Sequence, residues 1–277
     1  MNAEHAHLRD ESLPSLRELG LDLISITSRQ RWVTMLLPPI AMLGYVGAAS
    51  FDYWKLAVLS VMVLSFVTYG STSHDLVHRT LGLSAAMSDL WLSLIELGSL
   101  RSGTAYRLTH LHHHRRTLAD DDIEASSVRG TWVGSLIDGV TMQPRLWIWA
   151  WRHEKRYRLR LGFEAAGIVA LISMAAGAMR WTSVPAVYVG LVIGGSWVFP
   201  LVTVYIPHVA GATDPIRQTR LFRGLAIRII GAEHLYHLEH HLYPAVPHHN
   251  WPQLAARLDP HFCRLGVEPV LGRINHG

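Results

Sequence analysis

The sequence predicts an all-α integral membrane protein with about four transmembrane helices in two hairpins and a cytosolic helical cap that carries clustered histidines. Three observations predict it. Four runs are free of charge and of a length that crosses a bilayer. All but two of the 25 Lys and Arg residues lie outside those runs on what would be a single side. The chain also holds 18 histidines against one cysteine, most of the histidines in tight groups beyond the ends of the runs. Composition agrees: 49% of residues are hydrophobic and 17% charged, against about 25% charged in a typical soluble domain. Such a chain is not disordered, since disorder needs few apolar residues and many charges. The lone Cys263 excludes an internal disulfide framework and any cysteine-based zinc or iron–sulfur site.

Residues 1–31 form a polar N-terminal segment of mixed charge. It has no apolar core followed by a small-residue cleavage site, so no secretory signal is expected. Residues 32–277 read as one membrane-bound domain. Trp32–Ser50 and Leu56–Ser73 are uncharged and predict the first hairpin; the Pro38-Pro39 pair inside the first run is tolerated in a membrane helix. Ala165–Met179, bounded by Glu164 and Arg180, is the shortest span, and Val184–Ile206 is longer. The brief link Arg180–Ser183 predicts a second hairpin. The competing reading, buried helices of a soluble core, fails on number, because four such runs exceed what soluble folds of this size carry. Ala86–Leu100 holds Asp89 and Glu96, and Thr131–Trp151 holds Asp138 and Arg145. Ionisable groups are costly at the bilayer centre, so both read as interfacial or partly re-entrant helices, with Trp147, Trp149 and Trp151 at headgroup level.

With those hairpins, residues 1–31, 74–164 and 207–277 share one side, and only Lys55 and Arg180 among the basic residues fall on the other. The positive-inside rule assigns the shared side to the cytoplasm. All 18 histidines lie there too. The formal charge of +4 therefore expresses topology, not nucleic-acid binding.

Three histidine groups carry the chemistry. His74-Asp75-Leu76-Val77-His78 places two imidazoles at i and i+4, on one helical face. His110-Leu111-His112-His113-His114 places His110, His113 and His114 together and His112 roughly opposite, as a filler. His237-Leu238-Glu239-His240-His241 repeats that spacing. Ligands must converge within about 2.0–2.1 Å of a metal while the backbone stays helical, and these spacings allow it. Eight neutral imidazoles exceed what one tetrahedral site uses, so two metals are implied. Nitrogen-rich donors without cysteine suit iron, zinc, copper or nickel, and spacing does not choose among them. No Ser/His/Asp order, phosphate loop or dinucleotide fingerprint accompanies the groups.

H-D-L-V-H followed twice by H-x-x-H-H, with membrane hairpins between, resembles the integral-membrane fatty acid desaturase and hydroxylase superfamily, which includes carotenoid hydroxylases. The stretch Tyr236–His248 (YHLEHHLYPAVPH) is similar to that family's third histidine box and its tail, and the resemblance covers about residues 32–265. It implies a non-haem di-iron centre that activates O2 to take hydrogen from an unactivated C–H bond of a bilayer lipid. It implies as ligands His74, His78, His110, His113, His114, His237, His240 and His241, with His208, after the last span, as a ninth. It also implies a separate electron donor, ferredoxin or cytochrome b5-like, with its reductase. His234 is a further possible ligand. His248 and His249 follow Pro247, where the helix has ended, and read as surface or interfacial; His5, His7, His153, His261 and His276 are isolated.

Ligating imidazoles donate their second N–H to a carboxylate or carbonyl. Asp75, Asp121, Asp122, Glu124, Asp214, Glu233 and Glu239 lie near the groups and are expected to accept it; the Asp120–Asp122 run reads equally as a helix cap or solvated loop. Acyl desaturation is the leading expectation, because the third box and tail read most like acyl desaturases. Carotenoid ring hydroxylation or ketolation is the alternative. A non-catalytic metal-binding or transport protein is a third reading, disfavoured because transporters place ligands near mid-bilayer.

Overall fold

The computed structural model describes residues 13–224 and 233–270. Ser15 and Glu18 form a capping box that starts the one-turn helix α1, Leu16–Leu19. Thr27 and Gln30 form a second box that starts α2, Ser28–Ser50, four residues ahead of the uncharged run. Each box satisfies backbone N–H groups that a helix start otherwise leaves without partners. α3, Trp54–Val67, continues through a π-helical turn, Thr68–Thr72, into α4, Ser73–His78, as one span-length unit. Arg79, at φ 57°, ends it in the left-handed region. α8, Arg158–Ala178, and α9, Val184–Ser196, form the second hairpin, and a second π-helical turn, Pro200–Tyr205, extends α9.

Four segments are long and apolar enough to cross a membrane: Leu21–Ser50, Trp54–His78, Lys155–Ala178 and Val184–Tyr205. The third begins well before the expected Ala165 and takes Glu164 into its interior. That carboxylate does not end the helix, because neighbouring helices satisfy it. Along α2 the exposed side chains Val33, Leu36, Ile40, Leu43 and Val46 fall on one stripe, and only 17% of the third span's apolar window is buried. Such faces suit hydrocarbon and would be anomalous in water. The protein is a multi-pass membrane protein.

α5, Ala85–Gly98, and α6, Gly103–Arg116, form a re-entrant hairpin. α5 is about 21 Å long at 1.5 Å per residue. Its tip lies inside the bundle: Gly98 abuts Met42 of α2, and its carbonyl accepts from the Tyr188 hydroxyl of α9 at 2.7 Å. Irregular backbone at that depth is tolerated only where protein satisfies its polar groups, and here protein does. Glu96 is fully buried, pairs with Arg101 at 2.6 Å and accepts from the Ser73 hydroxyl. α7, Trp132–His153, is amphipathic: Ser135, Gly139, Met142, Leu146 and Ala150 face inward, while Val133, Ile137, Val140 and Ile148 face out.

The chain closes with α10, His237–Leu242, and α11, Trp251–Arg264. Trp251, Leu254, Leu258 and Phe262 of α11 pack with Leu19, Leu23, Leu238 and Val246 into a core separate from that of the spans. This cap lies at the end of the bundle where α4 and α6 finish. Among the described residues there is no strand; His208 and Thr219 form an antiparallel bridge.

Candidate metal centre

Four pieces of chain deliver imidazoles to one place. α4 presents His74 and His78 one turn apart, and α6 presents His110, His113 and His114 from its last two turns. α10 presents His237, His240 and His241, and His208 follows the second π turn. All nine histidines expected as ligands meet, in two groups. His74, His78, His110, His114 and His240 form one, and His113, His208, His237 and His241 the other; within each, the candidate ligand atoms lie within 4.8 Å of one another.

Contacts within the groups are closer. His74 Nε2 lies 2.9 Å from His240 Nε2, and His240 Nε2 lies 2.8 Å from His114 Nε2. His114 to His110 is 3.2 Å. In the second group His241 to His237 is 3.0 Å, His237 to His208 is 3.2 Å and His113 to His241 is 3.3 Å. Nitrogens bound to a metal at about 2.0–2.1 Å would stand roughly 2.9 Å apart at right angles and roughly 3.4 Å apart in a tetrahedron. These contacts, from 2.8 to 3.3 Å, lie close to that interval.

Proton placement makes the fit stronger. His113 Nδ1 donates to Asp122 at 2.7 Å, His110 Nδ1 to Glu124 at 3.0 Å, and His208 Nδ1 to the Val204 carbonyl at 2.8 Å. With Nδ1 engaged by its acceptor, each of these rings turns Nε2 toward the cluster. Burial, then the neighbouring imidazoles, push His114, His240 and His241 well below the ordinary histidine range, and push His208 down to about 3. Burial acts on His113 in the same direction, but the Asp122 carboxylate outweighs it and holds the ring above its ordinary value. Converging lone pairs repel unless a cation lies between them. The donor set, imidazole without thiolate, suits a borderline first-row metal. Each of the two groups could hold a metal ion.

A cavity lies against both groups. Gly70 of the first π turn and Thr203 and Val204 of the second line it, together with Tyr106, Glu124, Trp251 and four of the histidines. π turns are uncommon and concentrate at functional sites. Here each ends within three residues of a histidine of the two groups, Thr72 before His74 and Tyr205 before His208.

The supporting carboxylates differ from expectation. Asp122 and Glu124 hold ligands as described, and Asp122 also accepts from the backbone N–H groups of Leu118 and Ala125. Asp75 does not touch the cluster rings: its carboxylate accepts from His248, at 3.1 Å from the backbone N and 2.6 Å from Nδ1. His248 is therefore buried and structural, a correction to its reading as a surface residue, because the chain after Pro247 folds back onto α4. His249 is half-buried and meets the Thr34 hydroxyl at 2.7 Å. Asp121 is exposed and pairs with Arg116 instead of a ligand, since the loop turns it to solvent. Asp214 folds back on its own turn, bonding Ile216 N and Arg217. Glu239, also expected beside a ligand, lies on the face of α10 opposite its histidines and pairs with Arg223 at 2.6 Å. Burial raises the Glu239 carboxyl while Arg223 opposes that shift. The side chains of Glu233 and His234 lie outside the described residues, as do His5, His7 and His276.

His112 turns away from the cluster, as its helical phase requires, and packs on Trp149 at 4.7 Å between ring centres. His153 also stacks on Trp149, and His261 meets Arg264, both away from the centre. Sequence reasoning missed Trp251, whose ring packs 5.3 Å from those of both His74 and His240. It also missed Arg223, the partner of Glu239. Neither carries a local signal, since an isolated Trp or Arg acquires its role only when remote segments meet.

A search of curated proteins finds no match to the chain. The family model described as Fatty acid desaturase matches residues 52–269. That stretch runs from the turn before the second span to the end of the cap and takes in every histidine of the two groups, and on that coverage the chain belongs to the fatty acid desaturase family.

Proposed function

We propose that the protein is an O2-dependent di-iron oxidase of a long-chain bilayer lipid, and that its reaction is fatty acyl desaturation. The observation that carries this reading is the pair of imidazole groups, five and four strong, set against one cavity that residues from the π turns of two spans help to line. Bound by these groups, two irons would supply O2 activation and hydrogen abstraction from an unactivated methylene. The protein's own part is positional. Asp122, Glu124 and the Val204 carbonyl fix ring tautomers, so that Nε2 atoms point inward with little reorganisation. The small cavity lined in part by Gly70, Thr203 and Val204 lies where the reacting part of an apolar chain would meet the metals, and the cap core behind Trp251 shields the centre from water. Geometry of this kind determines which carbon lies near the metals. The reaction needs electrons from outside the chain, and a ferredoxin or cytochrome b5-like donor with its reductase fits that need. The basic asymmetry of the sequence supports a cytoplasmic histidine side.

Lipids and pigments from cells expressing the chain, measured by mass spectrometry, test this reading. New acyl unsaturation is expected, with about two irons per purified chain. His240→Ala and His113→Ala should abolish turnover and lower iron content, while His276→Ala should change neither. A new polar carotenoid with unchanged acyl chains would move the assignment to ring oxidation. Zinc in a protein inert to reductant would make it a metal binder.

A further inference from the structure

Glu164 is a carboxylate inside the third candidate span, 6% exposed, and no step above uses it. Ionisable groups at such depth are costly and mark function when they persist. Donors converge on it from three elements. The Ser93 and Ser102 hydroxyls donate to it, as do the Thr104 hydroxyl at 2.8 Å and the Thr104 backbone N–H at 3.2 Å. Arg160 approaches from one turn earlier on α8, at 3.7 Å. Ser102 is the N-cap of α6, and its oxygen accepts in turn from Ala105 N at 3.0 Å. Glu164 therefore grips the first turn of α6 at several points and sets a negative charge at that helix's positive end.

The same network reaches the first histidine pair. Arg160 meets Asp89 at 3.3 Å, and Asp89 also pairs with Arg79 at 3.3 Å and Arg107 at 3.8 Å. Arg107, on α6, donates to the carbonyl of Val77 at 2.6 Å, immediately before His78. α6 is thus held against α8 at its start and against α4 at Arg107. Four of the five imidazoles in the larger group, His74, His78, His110 and His114, ride on α4 and α6. In the smaller group only His113 does; His208, His237 and His241 come from segments the network does not touch.

We propose that Glu164 is a positioning residue that sets the axial and rotational register of α6 against α4, and so shapes the five-imidazole half of the centre selectively. This rests on the reading of the two groups as metal sites. A carboxylate suits the site because the Thr104 N–H and the Arg160 guanidinium can only donate, and it offers two acceptor oxygens. An amide would turn an NH2 group toward hydroxyl, N–H and guanidinium donors.

The test is titration of metal-free protein in lipid nanodiscs with Fe(II) under anaerobic conditions, reading ions bound per chain and the affinity of each site. Wild type should bind about two. Glu164→Gln should weaken one site by roughly 10–100-fold, the range of losses when support behind a ligand is removed, and leave the other little changed. The double variant Ser102→Ala/Thr104→Val, which removes the α6 side-chain donors, should reproduce that pattern even if Glu164→Gln does not fold. Tyr188→Phe, which loses a buried hydrogen bond at the tip of α5 without touching α6, should keep both sites. Equal weakening of both sites, unchanged affinities in the Glu164 and Ser102/Thr104 variants, or the same selective loss in Tyr188→Phe would overturn the proposal. Wild-type protein that binds no metal would instead overturn the metal-centre reading beneath it.

Discussion

Asp122 and Glu124 show how much of a metal centre lies one bond behind its ligands. Each is buried, and each accepts the Nδ1 proton of one imidazole, so that the opposite nitrogen is bare and aimed. Removing such a partner commonly costs 10–100-fold in affinity or activity. Asp122→Asn and Glu124→Gln should therefore each lower metal affinity by about that factor, measured by competition with a chelator. Glu124→Gln should act on the five-imidazole site through His110, and Asp122→Asn on the four-imidazole site through His113. Asp121→Asn, one residue away but turned to solvent, should leave both within error. Sequence proximity did not separate Asp121 from Asp122; a loop turn that buries one and exposes the other did.

At the scale of elements, the helices place the histidines by close approach. α7 presses on the chain between α9 and the second π turn at Gly139, where a Cβ would stand 2.0 Å from the Trp197 carbonyl oxygen. Backbone cannot yield as a flexible side chain can. Gly139→Ala should lower stability by roughly 1–3 kcal/mol, read as a lower thermal midpoint in detergent. Gly190, in α9, meets nothing within 4 Å, so Gly190→Ala should be neutral or stabilise by about 0.5–1 kcal/mol through helix propensity. If both variants behaved alike, the packing of α7 against this segment would be wrong. The contrast matters for function because Thr203 and Val204, lining the cavity, follow directly on that contact.

The whole molecule is a bundle whose chemistry is gathered at one end. Cys263 is exposed on the cap, and Trp181, between the spans of the second hairpin, is 72% exposed at the other end. With the histidine end in the cytoplasm, a membrane-impermeant thiol reagent on intact cells should label Trp181→Cys at once and Cys263 only after permeabilisation. The reverse pattern would invert the topology.

The spans and the histidine groups were legible in the sequence because each rests on local, periodic information: the length of an uncharged run, and imidazoles three or four residues apart on a helix. Those patterns by themselves determined an all-α membrane protein and eight imidazoles of the centre; the ninth, His208, stands alone in the sequence and came only from the family resemblance. The tertiary structure alone decided how the nine divide into five and four, and that α5 and α6 dip between the spans. It decided as well that Asp75 holds His248, that Glu239 holds Arg223, and that Glu164 lies within a helix instead of bounding one. The physical reason is that a buried polar group takes whichever partner the fold brings within hydrogen-bond reach, and that partner can stand more than 170 positions away in the chain, as His248 does from Asp75.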